Sequence, residues 1–329
     1  MTVCYLAMRT DLYVATESET RRSLGGKQLA CVTAHSNDPE TVFVGTVENG
    51  LQRSTDGGQT FDRIGTTSIE QDAVTAVAID TTDHNRIWAG TEPSRVYRSI
   101  DGGDSWNECR TPTTLASAER WSFPPRPHTH HVRWIEPHPT NEDHLYVGIE
   151  AGALIQTHDG GETWHDRVPD SRIDNHTLTT HPQTPDRVWS AAGDGYAEST
   201  DAGEAWTHPQ EGLEHRYCWS VAVDPGEPRT VLLSAADGAR TAHAADRADS
   251  YIYRKQHAEP WERLDGTGIP MGDGVVRAVL TSGTTVGELF AATNYGLYRT
   301  ADGGDRWDPV CETWPDAFET QTPQGLAVV

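Results

Sequence analysis

The densest group of imidazoles in the chain is the run His-Thr-His-His at 128–131, with His176 as a further candidate expected on the next structural unit. Neutral imidazoles converging on one point bind transition metals, which makes His128, His130, His131 and His176 candidate ligands for such an ion. Histidines also decorate loops, and spacing alone does not establish convergence; no other cofactor is suggested. Arg133, Arg277 and Arg216 could clamp a carboxylate or phosphate through paired N–H groups. Together with His131, His176, Tyr217 and Trp219 they form the expected ligand-binding set. Glu92, Glu150 and Asp194 could supply the two carboxylates, roughly 5–10 Å apart, that glycoside hydrolysis requires, and Tyr217 is a fourth candidate catalytic group. In so acidic a chain each carboxylate also reads as a solvated rim residue. The sequence holds no Gly-x-Ser-x-Gly, phosphate-binding loop, dinucleotide fingerprint or His-Glu-x-x-His.

What must position these residues is a repeat. The phrase STDGGQTF at 54–61 returns as SIDGGDSW at 99, THDGGETW at 157, STDAGEAW at 199 and TADGGDRW at 300. The aspartates Asp56, Asp101, Asp159, Asp201 and Asp302 are 45, 58, 42 and 101 positions apart, the last being about two units. A period in the forties indicates a propeller or an array. Each turn lies inside a frame of four short alternating segments. The frame fits 29–64, 74–110, 131–168, 174–209 and 274–310, and it fits 217–264 with a degenerate turn before Trp261. The N-terminal 1–26 supplies the later strands of a seventh unit and lacks a first one; the segment 324–329 is an orphan first strand. Joined, they remove the two exposed edges that a linear array would leave. The expectation is therefore an all-β fold, one domain over 1–329: a seven-bladed propeller of four-stranded antiparallel blades, closed by the C-terminal strand.

The five turns resemble the Asp-box, or BNR repeat, Ser/Thr-x-Asp-x-Gly-x-x-Trp/Phe, and the resemblance spans essentially the whole chain. Similar repeats occur in sialidases, xyloglucan-degrading glycosidases, the sortilin lumenal domain and photosystem II assembly factors, which share an architecture and not one activity. The motif reads as a hairpin clasp. The Asp carboxylate accepts nearby backbone N–H groups, the glycines permit positive φ, and Phe61, Trp106, Trp164, Trp206 and Trp307 fold back between adjacent sheets. It lacks the ligand spacing of an EF-hand calcium loop. In related folds these turns lie at the periphery. Three arginines beside a Tyr–Glu pair also resemble a sialidase, but sialidases are six-bladed and carry an early Arg-Ile-Pro element, which SFPPRPH is not.

In a propeller the first strand of each blade lines the channel. The segment leading into it and the turn between second and third strands rim one mouth. Two insertions fall on that side, Thr111–His130 and Ala236–Ser250. The first, with Trp121 and Phe123, should pack; the second, rich in Ala and Asp, reads as a solvated mobile loop. His35, His138 and His181 fall where Asp80 and Asp224 fall in sister blades and read as turn residues at first-strand exits.

Acidic residues outnumber basic ones 49 to 26, a net charge of −23, and Lys27 and Lys255 are the only lysines. Such composition resembles that of proteins from salt-loving archaea, in which a carboxylate surface stays hydrated in molar salt. It argues against nucleic acid as a partner. No apolar run is long enough to cross a membrane, no signal peptide is apparent, and five widely spaced cysteines suggest no disulfide framework, so a cytoplasmic location is expected. The reading is a ligand-binding or assembly scaffold working through the mouth, taking a small-molecule, glycan or protein ligand. The alternative is a hydrolase or lyase there, either a carboxylate-based glycosidase or a histidine/metal-dependent enzyme.

Overall fold

The computed structural model describes residues 2–329. The alternating segments form seven small antiparallel sheets. Each sheet contributes a first strand to a central ring. Leu29–His35, Ala73–Ile79, Val132–His138, Asn175–Thr180, Tyr217–Val223, Val279–Ser282 and Gly325–Val328 follow one another around it, and the last returns to the first. We number the blades 1 to 7 in that order.

Blade 7 joins the two ends of the chain. Gly325–Val328 pairs antiparallel with Cys4–Ala7, with Leu6 opposite Leu326 and Cys4 opposite Val328. Leu12–Ala15 and Thr20–Ser23 complete that sheet. The core is correspondingly divided. Seven clusters of buried side chains each lie between two neighbouring blades, such as Tyr5, Leu12 and Val14 of blade 7 against Leu29, Val42 and Val44 of blade 1. Alternation produces this arrangement, because successive residues of a strand face opposite neighbours.

The expectation of four strands per blade is corrected in three places. In blades 3 and 4 the fourth strand shrinks to single bridges, Gln156–His165 and Glu198–Thr207. After His165 the chain is diverted to the first insertion, where Asp166 accepts the Ser117 backbone N–H at 2.9 Å. In blade 4, Pro209 has no N–H with which to extend the ladder. Blade 5 gains a fifth strand, Gly272–Asp273, on Asp249–Gln256.

The recurring Asp-Gly turns share one geometry. Ser99 donates to Asp101 at 2.8 Å and accepts the Gly103 N–H at 2.9 Å, while Asp101 accepts the Ser105 N–H at 2.8 Å. Ser54, Thr157, Ser199 and Thr300 make the same contacts in their own turns. The glycines sit at positive φ, for example 71° at Gly102 and 93° at Gly103. Trp106, Trp164, Trp206 and Trp307 each pack into an inter-blade cluster, as does Phe61. Trp261 does so without the turn.

Candidate functional site

Five first strands share a feature that alternation does not reveal. In blades 1 to 5 the register with the second strand slips just after the strand begins, leaving Ala30, Thr75, Arg133, His176 and Trp219 without a cross-strand partner. These are β-bulges, which re-aim a side chain out of the ladder. Ala30, Thr75, Arg133 and Trp219 face a cavity of about 880 Å³ at the mouth of the channel. The residues just before the first strands of blades 6 and 7 add Arg277 and Gln324. Both insertions form its walls, through Phe123–Arg126 and through Ala239, Arg240 and His243.

On one side of the floor, His131 donates from Nε2 to Glu150 at 3.0 Å, and Arg133 Nε stands 3.6 Å from the same oxygen. Burial pushes the Glu150 carboxyl up, but His131, His176 and Arg133 outweigh it and hold the pKa below the ordinary value. Next to it, Asp174 Oδ2 stands 3.7 Å from His176 Nε2. Burial raises the Asp174 pKa, with His176 opposing, and burial lowers that of His176, with Glu150 and Asp174 opposing. His176 Nδ1 donates to the Cys218 carbonyl at 2.7 Å, which places its proton there and leaves Nε2 bare. One ligand atom each from Glu150, Asp174 and His176 lie within 4.8 Å of one another.

The opposite side is built on Trp219. The Arg277 guanidinium lies 3.6 Å from its ring centroid and that of Arg133 lies 4.8 Å away, while His176 and His243 pack on the same indole at 4.3 and 4.6 Å. Arg277 is 1% exposed. It donates to His243 Nδ1 at 3.3 Å and to the Pro323 carbonyl. Among the described residues no carboxylate pairs with it. Burial and the Arg133 charge push its pKa well down. Because His243 Nδ1 accepts, its Nε2 carries the proton and donates to Tyr217 Oη at 3.1 Å. Burial and Arg277 hold the His243 pKa down at about 2, so it is neutral.

The residues singled out from sequence divide. His131, Arg133, Glu150, Tyr217, Trp219 and Arg277 meet at the cavity, and His176 lies beneath it. Glu92 also faces the cavity but is held by Arg126 at 3.0 and 2.6 Å. Asp194 is spent on the backbone N–H groups of Ile173 and Asp174, each at 3.2 Å, and does not line it. Arg216 is exposed and does not line the cavity. The expected histidine cluster does not converge. His128 is exposed, His130 bonds Ser94 at 2.8 Å, and His131 is engaged with Glu150, because successive residues of an extended chain face opposite ways.

Asp174, Arg126 and His243 were not among the residues the sequence singled out. His243 was hidden by the reading of its insertion as a mobile loop. Ala239–His243 is instead a helical turn, anchored through buried Ala242, whose carbonyl accepts the Arg277 N–H at 2.9 Å. The available signal was the small-residue run around Ala242, which lets the segment pack against blade 5. The turn histidines behave as expected. His35, His138 and His181 each accept a backbone N–H two residues on, as Asp80 and Asp224 do.

The sequence matches no family model and no curated protein. Among solved structures it resembles an ancestral GH74 enzyme (TM-score 0.67, 16% identity, 88% of this chain and 39% of that one). It also resembles the GH74 xyloglucanase of Xanthomonas campestris (0.64, 16%, 86% and 45%). A third likeness is YCF48 bound to D1 peptide (0.61, 18%, 86% and 82%). What they share with this chain is the propeller. The chain spans less than half the length of these two glycosidases.

Proposed function

We propose that the cavity at the channel mouth binds a carboxylate-bearing ligand and that the protein is a binding module. The observation that carries this is Arg277: a guanidinium 1% exposed, at the wall of a cavity, with a second guanidinium nearby and no carboxylate partner. An uncompensated buried charge costs several kcal/mol, and an anion seated between Arg133 and Arg277 offsets that cost. Trp219, Tyr217 and the neutral His243 would supply an aromatic surface and hydrogen bonds for the rest of the ligand. An organic acid, a uronate-bearing glycan and the C-terminus of a peptide share this chemistry. The peptide-bound propeller among the structural likenesses makes the last a reasonable arm of the test. The recurring turns are read as Asp-box clasps that build the blades, and the five free cysteines fit a reducing, cytoplasmic setting.

The test is thermal-shift and calorimetric titration in molar KCl with citrate, glucuronate, a short peptide and its C-terminal amide, and glucose as the neutral control. Saturable binding of at least one acid is expected, lost in Arg277→Met. That variant should be as stable as the wild type, or more so, without ligand, since it replaces an unpaired charge by an apolar chain. Binding of the amide or of glucose as tightly as the acids, or an unaltered Arg277→Met, would overturn the reading.

A second reading rests on Glu150 and Asp174. Their carboxylates are close, and their environments push the pKa values apart, Glu150 down and Asp174 up, which suits one nucleophile and one acid in glycoside hydrolysis. It requires turnover of xyloglucan oligosaccharides or aryl glycosides, abolished by Glu150→Gln.

A further inference from the structure

We propose that Glu150, Asp174 and His176 hold a divalent first-row transition ion at the floor of the mouth. This goes beyond the anion-binding reading and does not depend on it. The three residues come from different places: the turn just after the second strand of blade 3, the segment leading into blade 4, and the bulge of blade 4's first strand. The bulge removes His176 from the sheet ladder and turns it toward the two carboxylates.

The decisive group is the imidazole. His176 is 0% exposed, and its Nε2 has no hydrogen-bond partner. Its Nδ1 proton is committed to the Cys218 carbonyl. A second-sphere bond of that kind fixes the tautomer of a metal-bound histidine and aims its lone pair at the ion. The lone pair faces Asp174 Oδ2 at 3.7 Å, close to the roughly 3.4 Å edge of a tetrahedral site with 2.0–2.2 Å bonds. The other atoms of the carboxylates are already engaged. Asp174 Oδ1 accepts the Ala151 N–H at 2.8 Å, and Glu150 Oε2 accepts from His131. Thus an imidazole nitrogen without a hydrogen-bond partner faces two carboxyl groups, and when Asp174 is ionised a cation is what can bridge them. Acceptors in that arrangement, the imidazole nitrogen among them fully buried, repel unless a cation lies among them. One imidazole and two carboxylates suit zinc or manganese, and three protein ligands beside an open cavity leave coordination positions free. Arg133, 3.6 Å from Glu150, bounds the site and moderates its affinity.

The experiment is calorimetric titration of the full chain, stripped with EDTA and dialysed into molar KCl, with ZnCl2, MnCl2 and MgCl2. One zinc or manganese ion per chain is expected, with magnesium at least tenfold weaker. His176→Ala and Asp174→Asn should each weaken binding at least tenfold, and His128→Ala should leave it unchanged. Heat unfolding checks that each variant is folded, and Asp174→Asn carries the test if His176→Ala is not. Absence of saturable zinc or manganese binding, wild-type affinity in the folded variants, or an equal loss in His128→Ala would overturn the proposal. Any of these leaves the carboxylate titrations and the Arg277 variant to be judged separately.

Discussion

Glu136 accepts the Trp134 indole N–H at 3.0 Å and the backbone and hydroxyl donors of Thr180 at 2.9 Å, yet burial pushes its pKa up to about 7. Its folded pKa thus exceeds the ordinary 4.5. Between those values the folded protein keeps a proton on Glu136 that the unfolded chain has released, so the stability Glu136 contributes falls as pH rises through that window and levels off above it. The neutral-held histidines, His243 among them, push the other way, so the Glu136 contribution is read as a difference: urea midpoints measured from pH 4.5 to 8 in the wild type should fall relative to those of Glu136→Gln across this window. Parallel profiles in the two proteins would remove Glu136 as a contributor. Single residues were unevenly legible in the sequence. Arg133, Glu150, Tyr217 and Arg277 could be assigned to the mouth because their place in the frame was clear. Whether a side chain there stays free was not legible. Asp194 sits at an equally suitable position and is consumed by two backbone amides, a choice made by the local path of residues 172–174.

At the scale of the element, the turns are small hydrogen-bonded units whose key acceptor is a buried hydroxyl. Ser99→Ala strips the buried Gly103 N–H of its partner, which should cost about 1–3 kcal/mol. Ser99→Thr should cost much less, since Thr157 and Thr300 fill the same role. Denaturant unfolding of the two variants distinguishes them; equal losses would mean that the hydroxyl is not what matters. The frames, turns and blade order could be read because period two and a repeated phrase survive in sequence. The bulges could not. They add one residue near the start of a first strand without changing its apolar alternation further on, and they decide that Arg133, His176 and Trp219 leave the sheet. The helical turn at Ala239–His243 was likewise invisible, because five residues carry too little periodicity to announce a helix.

For the molecule as a whole, the ring is held shut by one short seam. Val3 and Val329 exchange backbone hydrogen bonds at 2.7 and 3.0 Å, so the adjacent Cys4–Val328 pair is a non-hydrogen-bonded one, in which side chains stand closest. Val328→Cys should therefore form a disulfide with Cys4 under mild oxidation. Linking the ends in this way should stabilise the protein by roughly 2–4 kcal/mol, seen as a higher unfolding temperature that dithiothreitol abolishes. Failure to crosslink would argue that the seam is open or out of register in solution. The seam also sets a clock for biosynthesis. Cys4 and Val328 are 324 positions apart, so at 5–20 residues per second a ribosome takes roughly 16–65 s to deliver the second after the first. Throughout that interval the Cys4–Ala7 strand has an unpaired flank, open to a neighbouring nascent chain on the same polysome.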